Sequence, residues 1–270
     1  MPRRVQLIVE YDGTDFQGWQ LQLPEEKGAR TVQGVLEAKL ANVTGTEIRV
    51  ISAGRTDAGV HAMAQSVTFD LPDECSVPTQ KLPDALNSLL PPDLSVREAF
   101  DRPPDFHAQI HSCGKVYRYL LIDTRRRAAL LRRTHWLVRY PLDVDAMRQA
   151  AGHLVGEHDF AAFVTRLSMI QAKREADDEE ALSTVRRITG MEIDERYLSE
   201  FDLREICVLV EGTGFLYKMV RTIVGSLVDV GRGRFPPEWL GEVLRSKDRN
   251  RAGPTAPPQG LCLMKVIYPH

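Results

Sequence analysis

The sequence predicts an α+β protein whose chain divides into two halves of similar plan. Alternating apolar and polar residues indicate strands in both halves, and apolar residues at helical spacing indicate helices between them. The proline-containing segment 101–105 reads as a linker. With 270 residues and a hydrophobic fraction of 43%, the chain is long enough for one large or two small domains. We therefore expect two domains, at residues 1–103 and 104–270.

The first half shows the element order β-α-β-β-α-β. The Val5–Tyr11 stretch alternates with strand period, and Thr31 is placed to cap the helix that follows. The predicted elements lie, in order, at residues 5–11, 32–43, 47–53, 66–70, 78–89 and 94–100. This order is that of a ferredoxin-like, or RRM-like, domain with an antiparallel sheet.

The second half repeats this plan with extra helices, as judged from element order alone. Its strongest element is a helix at 215–230, where apolar side chains form a wide stripe before Gly231. The remaining elements are predicted at residues 115–121, 145–155, 185–194, 205–211, 236–246 and 261–268. The stretch 165–183 has a highly charged centre with consecutive acids at 177–180, which is typical of a solvated insertion.

Composition excludes several classes of protein. The formal net charge is −2, so any nucleic-acid binding must come from a local basic patch. The cysteines are single and far apart, without a C-x-x-C pair, which argues against zinc and thioredoxin-like sites. No apolar run has the length of a signal-peptide core or a membrane span. We expect a soluble, cytoplasmic protein.

The most informative stretch is S-A-G-R-T-D-A-G-V-H-A-M, at residues 52–63. Gly54 and Gly59 flank Arg55 and Asp57, and glycines permit a tight, shaped loop. A carboxylate held on such a loop can act as a nucleophile, a general base or a metal ligand. The alternative for a shorter G-x-T-D-x-G pattern is an Asx turn with solvated charges.

Four further motifs accompany this loop along the chain. They are Y-D-G-T-D-F-Q-G-W-Q from residue 11, K-V-Y-R-Y from 115, F-L-Y-K-M-V-R-T-I-V-G from 215 and A-G-P-T-A-P-P-Q-G-L from 252. Together with G-R-T-D-A-G-V-H, the set resembles the TruA family of tRNA pseudouridine synthases over nearly the whole chain. The acidic stretch near 172–181 is longer than the family pattern at that point.

The resemblance implies a role for five residues. Asp57 corresponds to the catalytic nucleophile, and Arg221 to the arginine that pairs with it. Tyr117 corresponds to the tyrosine that stacks on the target base and can take part in proton transfer, and Arg55 to the arginine that holds the flipped nucleotide. Leu261 and the proline-rich turn before it would form an apolar wall of the site.

The resemblance also implies a reaction and an assembly. The family isomerises uridine to pseudouridine in the anticodon arm of tRNA, typically at positions 38 to 40, without cofactor or metal. It is homodimeric, with one tRNA bridging both subunits. Its two ferredoxin-like halves form one extended sheet around a central cleft.

Other interpretations remain open at this stage. The chain could be a TruA-like synthase with other target sites, or a non-catalytic RNA-binding module, although no RNP1-type aromatic string supports the module. Without the motif, Arg221 would be read as a snorkelling arginine and Tyr117 as a core residue. His61, His107 and His158 read as structural. Candidate phosphate contacts are Arg125 to Arg127, Arg132, Arg133, Lys218, Arg232, Arg234, Lys247, Arg249 and Arg251.

Overall fold

The computed structural model describes residues 3–21, 29–164 and 183–269, and it confirms the α+β class with mostly antiparallel strand pairing. The chain forms two compact units, one from residues 1–113 with 262–270 and one from 114–261. The division into domains at residues 1–103 and 104–270 stays a prediction. Residues 165–182 of the acidic stretch lie outside the described residues.

The described strands and α-helices follow one another with short 3₁₀ turns between some of them. The strands are β1 (Arg3–Tyr11), β2 (Ile51–Ser52), β3 (His61–Leu71), β4 (Leu94–Arg102), β5 (Gly114–Asp123), β6 (Trp136–Val138), β7 (Gly156–Asp159), β8 (Val185–Leu198), β9 (Leu203–Gly212) and β10 (Leu261–Ile267). The helices are α1 (Val32–Thr44), α2 (Leu82–Asn87), α3 (Val144–Gly152), α4 (Met219–Gly231) and α5 (Glu238–Ser246).

The first unit is built on β1, which pairs antiparallel with β3 on one side and β4 on the other. The short β2 pairs antiparallel with β3, and β10 pairs with β3 in parallel. Helix α1 starts where the sequence predicts, because the Thr31 hydroxyl accepts the Gly34 N–H at 3.2 Å. Its apolar side, with Leu36 and Leu40 fully buried, lies in the core of this unit.

The second unit is built on an antiparallel sheet in which β9 lies between β5 and β8. Strand β7 extends the sheet beyond β8, and β6 pairs in parallel with the end of β5. Helix α3 packs against α4, where the Met147 side chain covers Gly231 and the Asp143 N–H donates to the Gly231 carbonyl at 2.7 Å. Among the described residues, no helix has both the length and the apolar character needed to cross a lipid bilayer.

Several elements differ in extent from the sequence prediction: β3 and β8 are longer than predicted, α2 is shorter, and two further differences have a visible cause. The strand predicted at 47–53 is reduced to Ile51–Ser52. Side chains of α1 form hydrogen bonds with the backbone N–H and carbonyl of Val50, which a strand partner would otherwise use. The Val50 N–H donates to the Glu37 carboxylate at 3.0 Å, and its carbonyl accepts from Gln33 at 3.4 Å. Helix α4 begins at Met219 rather than at Phe215, because Lys218 has a left-handed backbone with φ of 61°.

A buried ionic network ties β9 to its neighbours. The Glu205 side chain is 3% exposed; one oxygen contacts His135 Nε2 at 2.7 Å and the other accepts from Arg196 at 2.5 Å. Burial raises the pKa of the Glu205 carboxyl, but the hydrogen bonds from Arg196 and His135 outweigh burial and hold the pKa below its ordinary value. The ionised carboxylate therefore stabilises the fold.

Replacing Glu205 should destabilise the chain far more than replacing its exposed partner. We expect Glu205→Ala to lower the free energy of unfolding by roughly 3 kcal/mol, because breaking a buried ion pair leaves polar groups unsatisfied. Arg196→Ala is the comparison and should cost less, since the Arg196 side chain is 69% exposed and the Glu205 carboxylate keeps its contact with His135. Urea unfolding at neutral pH measures both.

The same network predicts a pH dependence. A carboxyl whose pKa is lower in the folded chain contributes stability above its unfolded pKa and loses that contribution as pH falls through its folded pKa. Wild-type stability should therefore drop more steeply below about pH 4.3 than that of Glu205→Gln. Parallel acid-unfolding curves for the two proteins would show that folding does not lower the pKa of Glu205 and would contradict this account.

Candidate active site

The G-R-T-D-A-G loop connects β2 to β3 in the first unit. Arg55 is exposed, Asp57 is partly exposed and Thr56 between them is buried. The loop closes on itself through the Val60 N–H, which donates to the Asp57 carbonyl at 3.1 Å. The backbone thus presents two charged side chains toward solvent while the residue between them anchors the loop in the core.

Two buried side chains hold the loop on either side of Arg55. Gln65 on β3 donates from its amide to the Gly54 carbonyl at 2.7 Å. The hydroxyls of Tyr11 and Thr56 share a hydrogen bond at 2.8 Å. Burial raises the pKa of the Tyr11 phenol well above its ordinary value, so the phenol stays protonated at neutral pH. The position of Asp57 is therefore set by the core beneath the loop.

The Y-D-G-T-D-F-Q-G-W-Q motif supports the same loop. The Trp19 N–H donates to the Thr56 carbonyl at 3.1 Å, and the Gly59 N–H donates to the Phe16 carbonyl at 3.3 Å. A Cβ on Gly18, whose φ is +94°, would lie 2.9 Å from the Thr56 carbonyl oxygen. The motif contacts the loop backbone directly, and this approach requires glycine.

A second glycine of this motif explains its position next to the loop. A Cβ on Gly13 would lie 2.0 Å from the Val60 carbonyl oxygen, and the Gly13 N–H donates to His61 Nδ1 at 3.0 Å. His61 thus orders a turn, which agrees with its predicted structural role. The supporting function of the motif was missed by sequence reasoning; its fixed spacing of two glycines among aromatic residues was the available signal.

The second unit carries Tyr117 on β5. Its side chain lies opposite Val210 in the ladder with β9, and its ring meets Phe215 edge to face at 5.2 Å and 88°. Tyr117 is 8% exposed, whereas Tyr119 two residues further along is fully buried. The Tyr119 hydroxyl donates to the Pro257 carbonyl at 2.7 Å, which supports the assignment of Tyr119 to packing.

Arg221 lies in the first turn of α4 and is fixed by the proline-rich turn. Its Nε donates to the Ala256 carbonyl at 2.8 Å, while the Ala256 N–H donates to the Arg221 carbonyl at 3.0 Å. This reciprocal pair fixes the direction of the guanidinium, which argues against a snorkelling side chain whose head only seeks water. Arg221 is partly exposed, in contrast to the buried residues that follow it in the helix.

Helix α4 and the proline-rich turn are in direct backbone contact. A Cβ on Gly225 would lie 1.8 Å from the Pro254 carbonyl oxygen, so only glycine fits there. The Gly253 N–H donates to the Ser226 hydroxyl at 3.0 Å. The Arg249 guanidinium donates to the Gly253 carbonyl of the turn at 3.0 Å. Leu261 follows the turn as the first residue of β10 and is 6% exposed.

The five predicted site residues thus fall into two groups. Arg55 and Asp57 share one loop of the first unit. Tyr117, Arg221 and Leu261 belong to the second unit, where Arg221 and Leu261 flank the same turn. Within the described ranges, no group of three or more His, Cys, Asp or Glu side chains is arranged to hold a metal ion.

Several of the predicted phosphate contacts are engaged with acidic residues. The pairs are Arg126 with Asp202 at 3.4 Å, Arg232 and Arg234 with Asp229 at 3.7 and 3.4 Å, Lys247 with Asp159 at 2.8 Å, and Arg251 with Glu242 at 3.5 Å. Arg249 is committed to the proline-rich turn. These contacts reduce the charge that the residues offer to a phosphate, and they could not be read from the sequence.

A family model and relatives of similar sequence identify the family of this chain. A family model described as tRNA pseudouridine synthase matches residues 7–109 and 150–269. The chain is 46% identical over 268 residues to "tRNA pseudouridine synthase A" of Myxococcus xanthus, which covers 99% of this chain and 92% of that protein.

Two further relatives bear the same name. The one from Geobacter sulfurreducens is 42% identical and the one from Thermoanaerobacter sp. strain X514 is 41% identical, each over 266 residues. Both alignments cover 98% of this chain and the full length of the relative. The matched residues include the loop of Asp57 and the helix of Arg221. The chain belongs to the tRNA pseudouridine synthase family.

Proposed function

We propose that this enzyme isomerises uridine to pseudouridine in the anticodon arm of tRNA, at positions 38 to 40, with Asp57 as the nucleophile. The observation that carries the proposal is the buried support of the Asp57 loop, in which Thr56 and Gly54 are each held by a core side chain. A preorganised carboxylate needs little rearrangement before reaction.

The reaction needs no redox group. The bond between uracil N1 and C1′ breaks, the uracil turns, C5 bonds to C1′, the proton on C5 is released, and N1 takes up a proton. Asp57 attacks C1′ or C6, or assists elimination at C2′; each route uses a carboxylate and returns it unchanged. Hydroxyl and amide groups hold the loop of Asp57 in place, and neither is a redox group.

The other site residues act on the flipped nucleotide. Arg221 holds Asp57 ionised and aimed, and its own direction is set by the Ala256 carbonyl. Tyr117 stacks on the target base and moves a proton. The exposed guanidinium of Arg55 fills the gap that the base leaves in the stack, which offsets part of the flipping cost of a few kcal/mol. Leu261 forms an apolar wall.

These roles require the two units to face one target. We propose two ferredoxin-like halves whose sheets join into one extended sheet around a central cleft. The order β4-β1-β3 with β2 on β3 supports this arrangement for the first half. We further propose that the enzyme acts in the cytoplasm as a homodimer, with one tRNA contacting both subunits, as the resemblance to the family implies.

Asp57→Asn should abolish isomerisation while tRNA still binds. The amide is nearly isosteric with the carboxylate but is a very poor nucleophile. Release of tritium from tRNA labelled at uridine C5 measures the reaction in a single turnover, and filter binding measures affinity. Asp84→Asn removes an exposed acid on α2 and is the matched control, expected to react at the wild-type rate. Appreciable turnover by Asp57→Asn would exclude Asp57 as the nucleophile.

Arg221→Met should lose activity through a misaimed Asp57 more than through weakened binding. We expect a drop of at least about 10²-fold in the single-turnover rate with saturating enzyme, comparable to removal of one preorganised electrostatic partner. Arg221→Lys keeps the charge but not the Nε donor that bonds to Ala256. It should be impaired as well; a wild-type rate for the lysine variant would mean that charge alone matters.

Tyr117→Phe and Tyr117→Leu separate the two roles of the phenol. The first change keeps the stacking face, and the second removes face and hydroxyl together. If the hydroxyl moves a proton, both variants should fail in the chemical step, by roughly 10²–10⁴-fold, while tRNA binds. We expect this outcome. A phenylalanine variant that runs near the wild-type rate would leave Tyr117 as a stacking platform only.

A further inference from the structure

The second unit contains a cavity of about 390 Å³ between the start of β6, the end of β5 and the 3₁₀ turn before β6. Its volume falls within the roughly 300–1,000 Å³ of small-ligand sites. Its lining includes Ile122, Leu131 and Trp136 as apolar walls and Arg127 and Arg132 as cations. None of the five predicted site residues is in this lining, whereas Arg127 and Arg132 are among the predicted phosphate contacts.

The charge of the cavity favours an anion. Arg127 and Arg132 both lie in its lining and are exposed, and none of the described residues that line it carries a carboxylate. Arg132 spends one N–H on the Ala129 carbonyl at 2.9 Å, out of the five donors of a guanidinium. Planar donors of this kind match phosphate oxygens.

The walls favour a flat, weakly polar group beside that anion. The indole of Trp136 is partly exposed and meets Tyr119 nearly perpendicularly, at 6.3 Å and 80°. His135 forms a fixed wall, because Glu205 and the Thr134 hydroxyl engage its two ring nitrogens at 2.7 and 2.8 Å. An aromatic face next to paired guanidinium groups is the combination that binds unstacked nucleotides.

We propose that this cavity binds one unstacked nucleotide of the tRNA, other than the reacting uridine, with its base against Trp136 and its phosphate on Arg127 and Arg132. The inference rests on the proposed function, since tRNA supplies the nucleotide. Gln259 of the proline-rich turn also lines the cavity, and Tyr119 bonds to Pro257 in the same turn. A base bound in the cavity would therefore contact the same proline-rich turn whose Ala256 carbonyl accepts from Arg221.

The test compares two single-charge changes in the same segment of chain. Arg127→Ala removes a cation of the cavity, whereas Arg139→Ala removes an exposed cation at the end of β6 outside the lining. tRNA affinity is measured over a range of salt concentrations. We expect Arg127→Ala to reduce the slope of log affinity against log salt by about 1, as loss of one phosphate contact does, and Arg139→Ala to leave the slope unchanged. Equal effects of the two variants would overturn the proposal.

Replacements of Trp136 test the base contact. Trp136→Phe keeps a stacking face and should bind tRNA nearly as wild type, while Trp136→Ala should weaken binding by at least about fivefold. Thermal unfolding of both variants checks that weaker tRNA binding does not result from a fold destabilised by loss of the contact between Trp136 and Tyr119. Equal binding by the phenylalanine and alanine variants in their folded state would contradict a stacked base.

The source of the nucleotide is tested with AMP: binding is followed as a change in tryptophan fluorescence that should be present in the wild type and absent in Trp136→Phe, which keeps the other two tryptophans. tRNA should displace AMP from the cavity. AMP that binds and is not displaced by tRNA would point to a free nucleotide and overturn the proposal, as would a change in oligomeric state in Arg127→Ala. Tritium release by the wild-type enzyme is measured alongside: its absence would refute the proposed function, whereas normal release with equal Arg127 and Arg139 effects refutes this inference alone.

Discussion

The buried hydrogen bond between Tyr11 and Thr56 is the contact on which the position of the Asp57 loop depends. It joins the end of β1 to the middle of the G-R-T-D-A-G segment at 2.8 Å, directly before Asp57. Gln65 adds a second anchor at the Gly54 carbonyl. The backbone of the Tyr11–Gln20 motif adds hydrogen bonds to Thr56 and Gly59 of the loop. A carboxylate on a loop without such support would lose orientation, and orientation is a large part of what an enzyme supplies.

The second unit solves the same problem for Arg221 in a different way. Its guanidinium is aimed by a backbone carbonyl, and that carbonyl belongs to a turn fixed by helix contact at Gly225 and by the Arg249 side chain. The prolines restrict the conformations of this turn in the unfolded chain, so folding loses less conformational entropy when the turn becomes ordered. Asp57 and Arg221 therefore each stand on a rigid support of their own unit.

The sequence predicted the α+β class, most strand and helix positions and the candidate residues, because periodicity and local motifs depend on neighbouring residues. It overestimated β2, since Glu37 and Gln33 reach across from α1 to bond Val50. It also named Arg232, Arg234 and Lys247 as candidate phosphate contacts without showing that the fold pairs them with Asp229 and Asp159. These outcomes depend on contacts between residues distant in space or sequence, which a local pattern does not encode.

The central claim is that Asp57 and Arg221, carried by different units, act on one uridine. The most direct measurement is the distance between the Asp57 carboxylate and the Arg221 guanidinium in a crystal structure of the enzyme with tRNA bound. The account predicts a charge-assisted hydrogen bond of about 2.7–2.9 Å, or one bridging water, with the target base against Tyr117. A separation too long even for a bridging water, in a complex whose target uridine lies at Asp57, would contradict it.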